Sequence, residues 1–191
     1  MKLSRLAIVA LALPASLSAQ QPQPNQQGGP MTTVFRNRAM TFHRNLAQAF
    51  DSIPESKFAY KPTPAQMTIG DIAQHLSSDN YFYCGNFSST KASMSQEEET
   101  TPASEKAKWA KAKLVGNLKA SFKFCEDAFS KIEDSKLADM LTITSGGNSR
   151  QAVRMQPMLG HIVDLADHYS QIANYMRLNG MLPPTARPPA R

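Results

Sequence analysis

The sequence predicts an all-α four-helix bundle with a small hairpin before the last helix. Three observations lead there: four segments repeat apolar residues every three or four positions, no stretch alternates apolar and polar residues for long, and the segment ends carry helix start and stop chemistry. No internal repeat is present.

The first helix covers about residues 31–52, where Phe35, Ala39, Phe42, Leu46 and Phe50 fall on one stripe before Ile53 and Pro54 end it. His43, next to the inward Phe42, reads as structural. The second helix starts at Thr68, because Thr68 and Asp71 form the Ser/Thr-x-x-acid pattern that satisfies free amides at a helix start. It is expected to run to Cys84 with Ile69, Ile72, Leu76 and Tyr83 inward. The third is expected to open at Thr101 and Pro102 as cap and first residue, and its seam is Val115, Leu118, Phe122, Cys125, Phe129 and Ile132. Gly146, Gly147 and Asn148 mark a turn within residues 140–154, the hairpin of the fold class. Pro157 opens the last helix, which stops at Gly180 before Pro183 and Pro184.

The ends differ in kind. Residues 1–19 read as a signal peptide: Lys2 and Arg5, the short apolar run Leu6 to Leu13, then small residues, with cleavage after Ala19 or Ser18. The run is too short for a spanning helix, which needs roughly 20 apolar residues, so no stable membrane anchor is expected after cleavage. Residues 20–30 form a Gln/Pro linker and 185–191 a flexible tail. About 170 residues remain, enough for one domain that buries roughly 68 to 70% of its unfolded surface. Losing Lys2 and Arg5 lowers the formal charge from +6 to +4, because the signal holds no acidic residue. The expected location is periplasmic or extracellular, which argues against a nucleic-acid partner, and the scattered lysines of the third helix form a solvated face. Exported together, Cys84 and Cys125 are read as one disulfide.

Chemistry is concentrated on the last helix. At roughly 100° per residue, His161, Asp164 and His168 lie within about 60° of arc, at the margin of the apolar stripe made by Ile162, Leu165, Tyr169 and Ile172. His75 flanks the stripe of the second helix in the same way. Imidazoles and a carboxylate from facing helices can bind zinc, nickel, iron or manganese and leave a position open for water or substrate. Helix-margin histidines are more often hydrogen-bonded structural residues, so spacing alone leaves both readings open.

The segment Phe58-Ala59-Tyr60-Lys61-Pro62-Thr63-Pro64, followed by Ile69-Gly70-Asp71-Ile72-Ala73-Gln74-His75-Leu76, resembles the start of the second helix in DinB-like proteins of the DinB/YfiT superfamily. The run from His168 through Asn179-Gly180-Met181-Leu182-Pro183-Pro184 resembles their last helix and its exit. The likeness extends over residues 31–184, the DinB-like domain. It implies a divalent metal held by one His of the second helix and two of the last, four residues apart. His75 and His168 match two of these positions, but Asp164 stands where the family usually has His. A carboxylate is a competent ligand, so the implied set is His75, Asp164 and His168, with His161 able to replace or supplement it; the alternative is a bundle that has lost its metal.

The resemblance also implies thiol-dependent transferases or isomerases, and homodimers. Export removes the usual cytosolic thiol pool and places metal-dependent hydrolysis beside thiol transfer as the expected reaction on an unknown small molecule. The competing class is a non-catalytic exported bundle that binds a small ligand or partner protein through an adaptable surface of Met155, Met158, Met176 and Met181.

Overall fold

A computed structural model describes residues 28–188. The expected signal peptide, residues 1–19, and most of the expected linker lie outside the described residues, as do the last three residues of the tail. Six helices and one hairpin follow in order: α1 Gly29–Ser52, α2 Ile69–Ser88, α3 Gln96–Thr100, α4 Ala103–Lys106, α5 Lys111–Phe129, β1 Met140–Ser145, β2 Asn148–Val153 and α6 Met155–Leu178. The four long helices are α1, α2, α5 and α6. Each of α1 and α2 packs against both α5 and α6, so the bundle closes as a ring with α1 and α2 at opposite corners. Leu46, Ile72, Leu118, Leu165 and Ile172 are fully buried between them, each contributing roughly 1.5 to 3 kcal/mol relative to an exposed side chain.

The start of α2 has the predicted chemistry. The Asp71 N–H donates to Thr68 Oγ1 at 3.0 Å, and the Thr68 N–H donates back to Asp71 Oδ2 at 2.9 Å. The end of α6 is a Schellman closure, with the Met181 N–H bonded to the Met176 carbonyl and the Gly180 N–H to that of Arg177, while Gly180 holds φ at 72°. Both turn glycines of the hairpin, Gly146 and Gly147, also have positive φ, as a two-residue hairpin turn demands. Cys84 and Cys125 form a disulfide between α2 and α5, with 5.2 Å between their Cα atoms.

Several expectations need correction. Helix α1 begins at Gly29, inside the segment read as linker, because Asp134 supplies a distant cap: its carboxylate accepts from the N–H groups of Met31 and Thr32 at 3.0 and 2.7 Å. On α1 the buried face is Ala39, His43, Leu46, Ala49 and Phe50, whereas Phe35 and Phe42 are half-buried. Helix α2 continues to Ser88, with Asn80, Cys84 and Phe87 inward and Tyr83 at the margin. Thr101 and Pro102 do precede a helix, but α4 lasts one turn; the chain becomes extended at Ala110 and α5 starts afresh at Lys111. Its first amide donates to Glu55 Oε1 at 3.2 Å, and Lys111 Nζ donates to the carbonyls of Asp51 and Ile53. The tail is tied down at Thr185, whose Oγ1 accepts from the Tyr169 hydroxyl at 2.8 Å.

Gly70 marks the tightest approach in the bundle wall. A Cβ there would lie 2.2 Å from the Ala107 carbonyl oxygen. Gly70→Ala must therefore push the α4 segment away and is expected to cost about 1 to 3 kcal/mol. Urea unfolding at constant m-value checks it; an unchanged midpoint would show that the segment yields freely.

Candidate metal centre

Two i,i+4 pairs face one another across the α2–α6 seam. From α2 come His75 and Asp79, one turn and two turns past the Asp71 cap; from α6 come Asp164 and His168. Side-chain exposure falls from 36% at His75 to 14% at Asp164 and 8% at His168, so the group is a notch with one open side. His168 Nε2 lies 3.4 Å, and His75 Nε2 3.7 Å, from the same Asp164 Oδ1. The two imidazole rings meet edge to face with centroids 4.6 Å apart. One ligand atom from each of His75, Asp164 and His168 falls within 4.8 Å of the other two.

The hydrogen-bond roles say what this notch needs. His168 Nδ1–H donates to Gln171 Oε1 at 3.1 Å, so Nε2 carries the lone pair in the neutral ring and is a second donor in the imidazolium. His168 Nε2 and His75 Nε2 are both aimed at one anionic oxygen. Such an arrangement requires a proton or a cation between the groups. Asp164 Oδ2 is buried without any hydrogen-bond partner, so the carboxylate has further acceptor capacity to give.

The electrostatics agree. A hydrogen bond to Asp164 raises the His75 pKa above its ordinary value against the opposing effect of burial. Burial opposes the His168 imidazolium, but hydrogen bonding and attraction to Asp164 carry its pKa upward. Burial alone would push the Asp164 carboxyl up; the hydrogen bonds from His168 and His75 instead bring it down to about 2. Asp79, 3.5 Å from His75 Nε2, is raised chiefly by burial. Tyr83 extends the polar margin. Burial and then the charges of Asp164 and Asp79 raise its pKa, while Arg150 on the hairpin lowers it. Gly160 makes room for its ring, since a Cβ there would sit 2.9 Å from Tyr83 Cε1. Tyr83 and Arg150 line a cleft of about 330 Å³ between α2 and the hairpin.

A sequence model described as the DinB superfamily matches residues 41–172. The chain belongs to the DinB superfamily. A crystal structure of a DinB-like protein from Bacillus cereus superposes with a TM-score of 0.61 at 14% identity, covering 78% of this chain and 93% of that one. That likeness shows the fold. No curated protein matches the sequence.

Within this DinB bundle the residues present fit a divalent ion. Two imidazoles and a carboxylate are a suitable donor set for zinc, iron or manganese. Metal–ligand bonds near 2.1 Å at tetrahedral angles put neighbouring ligand atoms about 3.4 Å apart, and the observed separations are 3.4 and 3.7 Å. Asp164 thus lies at the spacing that a ligand of such an ion would need. His161 does not join it. Its ring is fully buried deeper in the bundle, with Nε2 2.9 Å from Asn80 Oδ1 and Nδ1 unpartnered. Tyr175 bonds within the bundle, its hydroxyl donating to the Met67 carbonyl.

Two features escaped the sequence reading. Asp79 was detectable, because its spacing from His75 mirrors that of Asp164 and His168. The depth of His43 was not: a histidine beside a phenylalanine carries no local sign of which one turns inward.

Proposed function

We propose that this DinB-superfamily chain is an exported enzyme that uses one divalent ion, held by His75, Asp164 and His168, to hydrolyse a small molecule. The observation that carries it is the convergence of two imidazole Nε2 atoms on a single carboxylate oxygen, with one nitrogen's role set by Gln171. A bound ion supplies acidity, lowering the pKa of water or of a thiol so that a nucleophile exists at neutral pH. The chain's own groups do the remaining work. Gln171 holds the His168 tautomer and ring orientation, as outer partners of metal-binding histidines generally do. Asp79, beside His75 at the open side of the notch, accepts the proton that the nucleophile releases and returns it to the leaving group. Tyr83 and Arg150 offer a hydroxyl and a cation to an anionic substrate in the adjoining cleft.

Arg150 also supports thiol transfer as a second reading, since low-molecular-weight thiols commonly carry carboxylates. Export is supported by the signal-like residues 1–19 and by the Cys84–Cys125 disulfide, which suits an oxidising compartment. Among the described residues, no helix is long and apolar enough to cross a membrane.

The test is a screen of tag-free, metal-loaded protein on esters, amides, lactones and thiol acceptors. Turnover of at least one class is expected, abolished by chelation and reduced about 100-fold or more by Asp79→Asn at unchanged metal content. Folded, metal-loaded protein that turns over none of them would contradict the enzymatic reading and leave the ligand-binding bundle.

A further inference from the structure

A second convergence lies at the middle of the bundle, and each long helix contributes one residue to it. His43 comes from α1, Asn80 from α2, Cys125 from α5 and His161 from α6. His43 is 3% exposed and His161 fully buried. Neither ring nitrogen of His43 has a hydrogen-bond partner, and His161 Nδ1 has none either. His43 is stacked on Phe122 and meets the edge of His161, so its ring position is set by packing. A ring nitrogen of His43, one of His161 and the sulfur of Cys125 lie within 4.8 Å of one another.

His161 Nε2 stands 3.5 Å from Cys125 Sγ. For zinc–sulfur and zinc–nitrogen bonds of about 2.3 and 2.05 Å at a tetrahedral angle, the S···N edge is about 3.6 Å. Asn80 Oδ1 lies 2.9 Å from the same nitrogen, and its amide is oriented by donation from Nδ2 to Ser121 Oγ at 2.8 Å. Cys125 is bonded to Cys84, and a disulfide sulfur is no substitute for a thiolate ligand. Asn80 Oδ1 only accepts, so His161 Nε2 carries the hydrogen in the disulfide state; the missing thiolate and a shift of that hydrogen to the unpartnered Nδ1 separate this cluster from a Cys-His-His site with an amide oxygen alongside.

We propose that opening the Cys84–Cys125 disulfide creates a second metal site in which the Cys125 thiolate, His43 and His161 bind zinc or a similar thiolate-preferring divalent ion. The exchange balances with a dithiol as reductant. Two electrons and two protons pass to the Cys84–Cys125 bridge, giving two thiols, and the dithiol becomes its own disulfide. Cys84 keeps its proton; Cys125 loses its proton to solvent when it ligates. The two chain states are therefore disulfide without central metal and dithiol with it. This site shares no residue with the notch at His75, Asp164 and His168.

Both sulfurs are buried, so a variant that bypasses reduction gives the cleaner test. Tag-free His75→Ala/Cys84→Ser has the outer notch disabled and a permanent thiol at Cys125. It is expected to bind one cobalt(II) per chain with a near-ultraviolet sulfur-to-cobalt charge-transfer band. Adding His43→Leu should weaken binding by at least 100-fold and remove the band, and His75→Ala with its disulfide intact should show no band. Should Cys84→Ser fail to fold, His75→Ala protein unfolded, reduced with dithiol, desalted and refolded anaerobically with cobalt presents the same thiol, with circular dichroism reporting recovery. Folded thiol-bearing protein without the band, or a band that survives His43→Leu, would overturn the proposal.

Discussion

Acidification from pH 6.5 to 5 is expected to remove roughly 3 kcal/mol of stability from the metal-free, disulfide-bonded protein through its two central histidines. Burial holds the His43 pKa down at about 2, aided by His161, and burial holds His161 at about 4 against an opposing pull from Asp164. Unfolded, each takes a proton near 6.5. Below that pH the unfolded chain binds more protons than the folded one, so stability falls by about 1.4 kcal/mol per pH unit for each histidine until its folded pKa is reached. The surroundings of the pair do not relieve this: Phe122, Phe129, Tyr83, Asn80 and the disulfide sulfur of Cys125 face the two rings.

The outer notch acts in the opposite sense. His75 and His168 have raised pKa values, so their contribution is complete below 6.5 and fades as pH rises through those values. The lowered Asp164 contributes above 3.8 and loses its effect only as pH falls toward about 2. Between pH 6.5 and 5 the last part of the His75 and His168 contribution and the raised Asp79 carboxyl offset a part of the loss. Urea unfolding across that range checks the result. In His43→Leu the slope should be about halved, and an unchanged slope would remove His43 as its source.

The second large effect is on metal affinity. His168→Ala and Asp164→Asn each remove a donor from a three-residue set and are expected to weaken zinc binding by more than 100-fold. Gln171→Ala keeps all three donors but frees the His168 ring, and should weaken binding by about 10- to 100-fold, the range for outer partners of metal-bound histidines. Affinity should also decline on acidification, because zinc and protons compete for His75 and His168. Competition titration against a zinc chelator, with protein free of any histidine tag, measures the series. Equal affinities across it would place zinc elsewhere.

Much of the bundle was legible in the sequence because its signals are local. Thr68 and Asp71 are three residues apart and form their box without help from the rest of the chain. Gly180 ends α6 through bonds to Met176 and Arg177. The α5 seam, from Val115 to Phe129, is buried as its spacing implied, and Ile132, also buried, lies just past the helix end. Long-range partners hid the rest. Helix α1 is capped by Asp134 and α5 begins against Glu55, so neither start is written next to itself. The same division runs through the candidate site. Periodicity put Asp164 and His168 on one face and could place His75 at a margin, but only tertiary packing sorts His161 away from them and turns His43 inward.

The most direct measurement is anomalous scattering from crystals of tag-free protein grown with zinc or manganese. The arrangement of the notch predicts one peak per chain bonded to His75 Nε2, Asp164 Oδ1 and His168 Nε2, at about 2.0 to 2.2 Å for zinc. Protein with His75 and His168 in place at saturating metal and no peak between them would contradict it.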